Sequence, residues 1–326
     1  MPRLSLDVRA EAWPIHGRFA IARGAKTQAD VVVIRLENGM GCGECTPYAR
    51  YGESIESVLA QIEAVRPNLE AGCDQDRLQA LLPAGAARNA VDCALWDLRA
   101  KRTGIRAFER AGLKTLISQT TAYTLSHDDP EAMALAARAN AHRPVLKLKI
   151  GGGDDLDRVD AVRAAAPQAA LIVDANESLL FDDLRRLCRD FQRLGVKLIE
   201  QPLKAGEDSE LEGFESPVPL CADESLHTRA ELAACARRYA CVNIKLDKAG
   251  GLTEALALKT EAQALGLQVM VGCMVATSLA MAPAMLVAQG AAWVDLDGPL
   301  LLERDREPGL AYEGSVVRPP SPALWG

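Results

Sequence analysis

Six residues in the middle of the chain have the types and the spacing of a reactive site. Lys147 and Lys149, one residue apart, close the apolar run 145–150. Asp174 ends Leu171-Ile172-Val173, Glu200 ends Leu198-Ile199, Asp223 follows Leu220-Cys221-Ala222, and Lys245 ends Val242-Asn243-Ile244. The intervals from Lys149 through Asp174, Glu200 and Asp223 to Lys245 are 25, 26, 23 and 22 residues. A strand–loop–helix unit of a parallel barrel needs about that much chain, and residues at the C-terminal strand ends of such a barrel converge on one site. Alone, a Lys-x-Lys pair is an exposed strand end and a single strand-end carboxylate is a loop cap. Repetition in phase with the apolar runs favours a common site.

The donor types narrow the chemistry. Asp174, Glu200 and Asp223 offer only oxygen, which suits a hard cation such as Mg²⁺ that keeps positions open for substrate oxygens and water. The lack of His and Cys among them disfavours zinc. Three carboxylates brought together without a cation would repel one another and raise their own pKa values. Lys149 and Lys245 bracket the acids, so across a closed barrel their amines can face each other over one substrate. A lysine with an ordinary pKa of ~10.4 must fall towards neutrality to act as a base near pH 7. The adjacent charge of Lys147 and a metal ion would both favour that fall. The implied reaction is removal of a proton next to a carboxylate. The resulting enediolate needs nearby positive charge for stabilisation. A base on each face would take the proton from one side and return one from the other, which inverts the stereocentre.

These residues need a scaffold, and the rest of the chain supplies the pattern of one. Residues 31–36 form an apolar run that meets the turn signal Glu37-Asn38-Gly39 and a second run to Cys45, which predicts a hairpin. Residues 54–112 look helical, with Val91, Leu95 and Leu98 on one face of a helix over 86–101 that Gly104 should stop. From about 115 to 298, short apolar runs recur near 119–125, 145–150, 171–174, 197–200, 219–222, 241–246, 268–272 and 293–296. Amphipathic segments lie between them, and Pro167 and Gly195 fall where helices should end. Eight strands alternating with helices predict a parallel α/β barrel. The Pro- and Gly-rich tail after 298 is expected to return to the first zone. The expected division is therefore 1–113 for an α+β cap, 114–298 for the barrel and 299–326 for the returning segment.

Bulk properties exclude several classes. The 326 residues suit a barrel of ~250 residues plus a smaller partner. The net charge of −7 comes without a basic tract, which argues against nucleic acid or an anionic membrane as partner. No apolar run approaches the ~20 residues of a membrane span, and no secretory signal is visible. Nine irregularly spaced cysteines fit a reducing compartment, so the expected location is cytoplasmic. Cys42-Gly43-Glu44-Cys45 lacks a redox context and reads as packing. Gly151-Gly152-Gly153 lacks the Lys and Ser/Thr of a phosphate loop.

The motifs together resemble the enolase superfamily, in its muconate-lactonising branch, and within it the bacterial dipeptide epimerases of the L-Ala-D/L-Glu type. The resemblance spans essentially the whole chain. It includes Gly43-Glu44-Cys45-Thr46-Pro47-Tyr48 and Tyr51-Gly52-Glu53-Ser54 early on, and the stretch from Ala87-Arg88-Asn89 to Trp96-Asp97-Leu98. It continues through Lys147-Leu148-Lys149, Asp174-Ala175-Asn176-Glu177-Ser178, Glu200-Gln201-Pro202-Leu203 and Ala222-Asp223-Glu224-Ser225. Asn243-Ile244-Lys245-Leu246-Asp247-Lys248 and Asp295-Leu296-Asp297-Gly298-Pro299 complete it. The metal and lysine motifs are shared by all lysine-type members, whereas the final Asp-x-Asp is narrower.

The resemblance implies a modified TIM barrel, (β/α)7β, with seven full β/α units, an eighth strand, and an α+β capping domain built from N- and C-terminal segments. It implies one Mg²⁺ per subunit on Asp174, Glu200 and Asp223, with Lys149 and Lys245 as the two acid/bases and Lys147 supporting the substrate carboxylate. Asp295 and Asp297 would receive a dipeptide's α-ammonium, since a buried cation needs an anionic partner. Thr124 and Cys273 match substrate-contacting positions. The family's cap arginine for a glutamate side chain has two counterparts, Arg23, which is about one residue out of register, and Lys26. None of His16, His127, His142 and His227 stands where the histidine-base branch needs one; Cys273 and Met274 occupy that place. The expected activity is Mg²⁺-dependent epimerisation of the C-terminal residue of an L-Ala-L/D-Glu-type dipeptide in murein peptide metabolism. A small dipeptide is then the only partner, and a homo-oligomer is an admissible assembly. Two alternatives stand beside it. One is another lysine-type enzyme: an N-acylamino acid racemase, an o-succinylbenzoate synthase or a cycloisomerase. The other is a non-catalytic dipeptide-binding barrel.

Overall fold

The computed structural model describes residues 4–326. Its N-terminal part is an antiparallel sheet of β1 (Leu6–Ile21), β2 (Gly24–Leu36) and β3 (Gly41–Cys45), backed by helices α1 (Ile55–Glu70), α2 (Gln75–Leu81), α3 (Ala86–Thr103) and α4 (Ala107–Arg110). β1 and β2 form a long hairpin from Leu6↔Leu36 to Ile21↔Gly24, leaving Ala22 and Arg23 at the tip. The apolar run of β2 divides by parity: Val32, Ile34 and Leu36 join the core under α1–α3, while Val31 and Val33 join the main core. That is the two-sided burial expected of a run without polar alternation. The turn at Glu37, Asn38 and Gly39 has φ of 49°, 55° and 92°. Gly41 and Gly43 are required by a close approach, because a Cβ at either would strike the backbone of α3 at Ala94 and Ala90. α3 stops at Gly104, φ 70°, as predicted.

The larger part is a curled parallel sheet in the order β5 to β12, after a short outlying strand β4 (Gln119–Thr120). Its strands are β5 (Tyr123–Leu125), β6 (Val145–Lys149), β7 (Ala170–Asp174), β8 (Val196–Glu200), β9 (Leu220–Ala222), β10 (Cys241–Ile244), β11 (Gln268–Val271) and β12 (Trp293–Val294). Ala122 N donates to Val294 O at 2.8 Å and so joins the two ends of the sheet. Leu296 N adds a 2.8 Å bond to Thr121 Oγ1. The outer helices are α5 (Pro130–Ala139), α6 (Asp155–Ala165), α7 (Phe181–Arg193), α8 (Leu232–Arg238), the one-turn α9 (Leu246–Ala249), α10 (Leu252–Ala264) and α11 (Ser278–Ala288).

Two expectations change. The run 119–125 is split, because β4 pairs outside the barrel with β14 (Val316–Val317), itself paired to β13 (Tyr312–Glu313). The fourth unit has no α-helix; a 3₁₀ turn at Ser209–Leu211 replaces it. The connecting stretch there, with Pro202, Gly206, Gly213, Pro217 and Pro219, is too rich in helix breakers to sustain one.

Inward residues form an apolar floor of Ile172, Leu198, Cys221, Cys241 and Met270, with Val145 and Trp293 packed against it. Outward residues such as Leu146, Leu171, Val173, Ile199 and Val242 pack under the helices. The two parts are tied by polar contacts of α3. Arg88 donates to Gly250 O at 3.0 Å and Ala249 O at 2.8 Å. Asn89 donates to Asp247 at 2.9 Å, and Thr253 donates to Asp92 at 2.6 Å. The C-terminal segment ends on the same helix, with Trp325 fully buried and its indole N–H 3.1 Å from Cys93 O. All nine cysteines are free thiols. Among the described residues, no helix is long and apolar enough to cross a membrane.

Candidate active site

Strand register builds the site. In the ladders β6–β7–β8, Lys149 stands opposite Asp174, and Asp174 opposite Glu200. Glu200 stands opposite Cys221, which puts Asp223 two residues further towards the mouth. Thr124 is the ladder partner of Lys147. Because side chains alternate along a strand, Lys147 and Lys149 share a face with Val145, two and four residues above the apolar floor.

These charges meet. Lys149 Nζ donates to Asp174 Oδ2 at 2.6 Å, and Lys245 Nζ to Asp223 Oδ2 at 2.7 Å. Lys147 Nζ lies 3.1 Å from Asp174 Oδ2, 2.7 Å from Glu200 Oε2 and 2.8 Å from Asp295 Oδ2. Asp174 and Glu200 are 0% exposed and Lys147 1%. Such burial is costly unless every charge is paired, and here each one is. Burial disfavours the ammonium of Lys147 and of Lys245, but Asp295, Glu200 and Asp174 around the first, and Asp223 beside the second, outweigh it and hold both well above the usual lysine range. Burial raises Asp174, yet Lys149 and Lys147 hold it low. Glu200 is pushed up by burial and by Asp174.

A cavity of about 530 Å³ opens above this layer between cap and barrel. It is lined by Lys147, Lys149, Asp223, Lys245, Thr124, Cys273, Asp295 and Asp297 from the barrel, and by Arg23 and Lys26 from the cap. Asp174 and Glu200 are not in its wall; they lie below, reached through Lys147. Asp297 Oδ2 accepts from Thr124 N at 2.6 Å, and burial together with Asp295 raises its pKa to about 7. Asp295 Oδ1 is buried without a hydrogen-bond partner.

The donor chemistry fits a hard cation. Carboxylate oxygens of Asp174, Glu200 and Asp295 already surround one positive centre, the ammonium of Lys147, Glu200 Oε2 touching it without hydrogen-bond geometry, while Asp223 meets the ammonium groups of Lys245 and Lys248. Among the described residues no three acidic, His or Cys side chains already stand in a metal-binding cluster, because lysine amines are interposed.

The sequence reading passed over several residues of the site. Lys248 Nζ donates to Asp223 Oδ1 at 2.6 Å and Asn243 O at 3.1 Å. Asn243 donates to Glu200 Oε1 at 2.7 Å. Glu177 receives Arg23 at 2.7 Å and Arg50 at 2.8 Å, and Glu224 receives Arg23 at 2.8 Å. Lys248, Asn243, Glu177 and Glu224 lie within motifs already noted, and Arg50 lies just before one. A signal was the doubling of acids at 223–224 and the lysine one helical step beyond Lys245. Asn176 and Glu177 have positive φ of 43° and 69°, a strained turn that presents Glu177 to both arginines.

A cap over a parallel barrel with lysine–carboxylate pairs buried at its mouth is the architecture of enolase-type proteins. Residues 131–322 match the family model "Enolase C-terminal domain-like", and residues 3–109 match the N-terminal domain of the mandelate racemase/muconate lactonizing enzyme family. The chain belongs to that family. It is 49% identical over 312 residues to the L-Ala-D/L-Glu epimerase of Escherichia coli (strain K12), covering 94% of this chain and 97% of that protein. It is 47% identical over 298 residues to the N-acetyl-D-glutamate racemase of a Pseudoalteromonas species, covering 91% and 94%. A crystal structure of an enolase family member from Agrobacterium tumefaciens with homology to dipeptide epimerases, with bound sodium and L-Ala-L-Glu, superposes with a TM-score of 0.97 at 53% identity, over 99% of this chain and 100% of that one. The dipeptide epimerase from Methylococcus capsulatus, complexed with Mg and L-Arg-D-Lys, superposes at 0.91 with 31% identity, over 100% and 99%.

Proposed function

We propose that this protein is a Mg²⁺-dependent dipeptide epimerase, an isomerase that inverts the α-carbon of the C-terminal residue of L-Ala-L/D-Glu-type dipeptides. The observation that carries this reading is the pair Lys149 and Lys245, held at the ends of separate strands, buried, and lining one cavity that Asp295 and Asp297 also line. The likeness to epimerases crystallised with dipeptides supports the substrate class.

Asp174, Glu200 and Asp223 would hold Mg²⁺, which supplies a fixed positive charge beside the substrate's terminal carboxylate. The ammonium of Lys147 adds charge to the same carboxylate. Lys149 and Lys245 act from opposite faces: the neutral amine of one takes the α-proton, and the ammonium of the other returns a proton to the opposite face. Roles exchange for the reverse reaction. Tyr48 and Tyr51 of the cap line the same cavity as the two lysines. Asp295, with a buried oxygen lacking a partner, and Asp297 receive the dipeptide's ammonium. Thr124 and Cys273 border the peptide. Turnover of murein-derived peptides in the cytoplasm is the setting this substrate suggests.

Heavy water provides the test. With Mg²⁺ present, deuterium should enter the α-carbon of the C-terminal residue of both L-Ala-L-Glu and L-Ala-D-Glu. Folded, metal-loaded protein that exchanges neither epimer would end this proposal. A second reading, N-acylamino acid racemisation, is favoured by the 47% identical racemase and by an Asp297 that is easily neutralised. Asp297→Asn separates the two: dipeptide kcat/KM should fall roughly tenfold to a hundredfold, as for one hydrogen bond to a charged group. An N-acetylglutamate activity would be spared.

A further inference from the structure

The fourth unit lacks an α-helix, and the residue that opens its 3₁₀ turn is a buried acid. Asp208 is 1% exposed, and its side chain does not cap the turn it precedes. Capping is the usual task of an aspartate in that position. Asp208 Oδ2 instead accepts from Ser225 Oγ and from Tyr239 OH, both at 2.6 Å, and Oδ1 accepts from Arg238 Nη1 at 2.8 Å. These partners come from the loop after β9 and from the end of α8.

Chemistry fixes the direction of these bonds. A carboxylate has no proton to give, so both hydroxyls must donate to Asp208 and keep only lone pairs for other neighbours. Those lone pairs face the amide of Gln201, whose Nε2 lies 2.8 Å from Ser225 Oγ, 3.1 Å from Tyr239 OH and 2.8 Å from Leu203 O. The amide therefore stands one way round, with Oε1 accepting from the backbone N–H of Asp223 at 2.8 Å and of Ser225 at 3.0 Å. Gln201 directly follows Glu200, is 0% exposed and has a φ of 33°. A non-glycine residue holds that conformation only where its surroundings impose it. One side chain thus joins the end of β8, which carries Glu200, to the turn that carries Asp223. None of Gln201, Asp208, Ser225 and Tyr239 is in the cavity wall.

Building on the epimerase reading, whose Mg²⁺ site it concerns, we propose that Asp208 is a positioning residue for the metal. Through Ser225, Tyr239 and Gln201 it sets the spacing of the Glu200 and Asp223 carboxylates, and so the affinity for Mg²⁺. It touches neither metal nor substrate.

The test is equilibrium binding of Mg²⁺, followed by titration calorimetry on the whole chain after removal of divalent ions, with melting temperature measured alongside. Asp208→Asn keeps the shape but removes the charge that directs the chain of bonds. It should weaken Mg²⁺ binding about thirtyfold, within the range for residues that stand behind a metal's ligands. Tyr239→Phe removes one hydroxyl of the chain and should weaken binding about tenfold. Leu211→Ala is the control, since it removes buried core volume from the same 3₁₀ turn. It should lower the melting temperature and leave Mg²⁺ affinity at the wild-type value. At saturating Mg²⁺, Tyr239→Phe should turn over L-Ala-L-Glu as wild type does. The proposal is overturned if Asp208→Asn and Tyr239→Phe bind Mg²⁺ as tightly as wild type, or if Leu211→Ala weakens binding as much as they do. A loss of turnover in Tyr239→Phe that saturating Mg²⁺ does not restore overturns it as well. If Asp208→Asn does not fold, Tyr239→Phe alone decides. Wild-type protein that binds no Mg²⁺ overturns the proposal, whereas wild type that binds Mg²⁺ but epimerises no dipeptide refutes the epimerase reading and leaves the affinities to judge Asp208.

Discussion

The floor and the mouth of the barrel interior use the same strands two residues apart and do opposite things. Ile172 lies below Asp174 on β7, Leu198 below Glu200 on β8, and Cys221 below Asp223 after β9. The floor residues are apolar and buried, and each stabilises the fold by leaving water. The mouth residues are just as buried, yet Asp174, Glu200 and Lys147 each lose hydration on folding and are compensated by one another and by Lys149, Asn243 and Asp295. Stability is generated at one end of the barrel and used at the other to hold charges where a reaction needs them.

The largest expected contrast comes from the mouth lysines. Lys149→Met or Lys245→Met should lower epimerisation about a thousandfold, within the range for general acid–base catalysis, and the circular dichroism spectrum should stay native. If either variant epimerises at the wild-type rate, the mouth is not the catalytic layer. Next comes the floor. Leu198→Ala should cost about 2–5 kcal/mol in denaturant unfolding, with KM for L-Ala-L-Glu little moved; a large KM change would show that floor and mouth are not separable.

The smallest effect is in pH. Asp297 is raised from an ordinary 3.8 to about 7 by burial and by Asp295. The unfolded chain releases this proton first, so the contribution of Asp297 favours the folded state at low pH and is lost as pH rises from about 4 towards 7. Asp297→Asn should remove that contribution and so change the pH slope of thermal melts without added divalent cation, whereas Leu198→Ala should shift the curve without changing its shape. An unchanged slope in Asp297→Asn would place the titration elsewhere.

Much of the barrel was legible because burial imposes a period. Apolar runs ending in charged residues, spaced by one β/α unit, placed Lys149, Asp174, Glu200, Asp223 and Lys245 in a common layer before any coordinates. The β2–β3 hairpin was legible from Glu37-Asn38-Gly39, and the end of α3 from Gly104. The missing helix of the fourth unit was foreshadowed by its prolines and glycines, but the repeat overrode that local signal. The splitting of 119–125 was not legible, because β4 pairs with β14 almost two hundred residues later.

The role of the cap residues shows the same divide. Arg23 and Lys26 are three residues apart and equally basic, and composition treats them alike. What distinguishes them is that the hairpin tip carries Arg23 to Glu177 and Glu224 while register turns Lys26 beside Phe19. The linear chain by itself determined which side chains could reach the barrel mouth, since strand parity and repeat length are local properties of covalent geometry. Only the tertiary structure decided which charges neutralise each other there, because ion pairing depends on distances between segments that the backbone brings together from far apart.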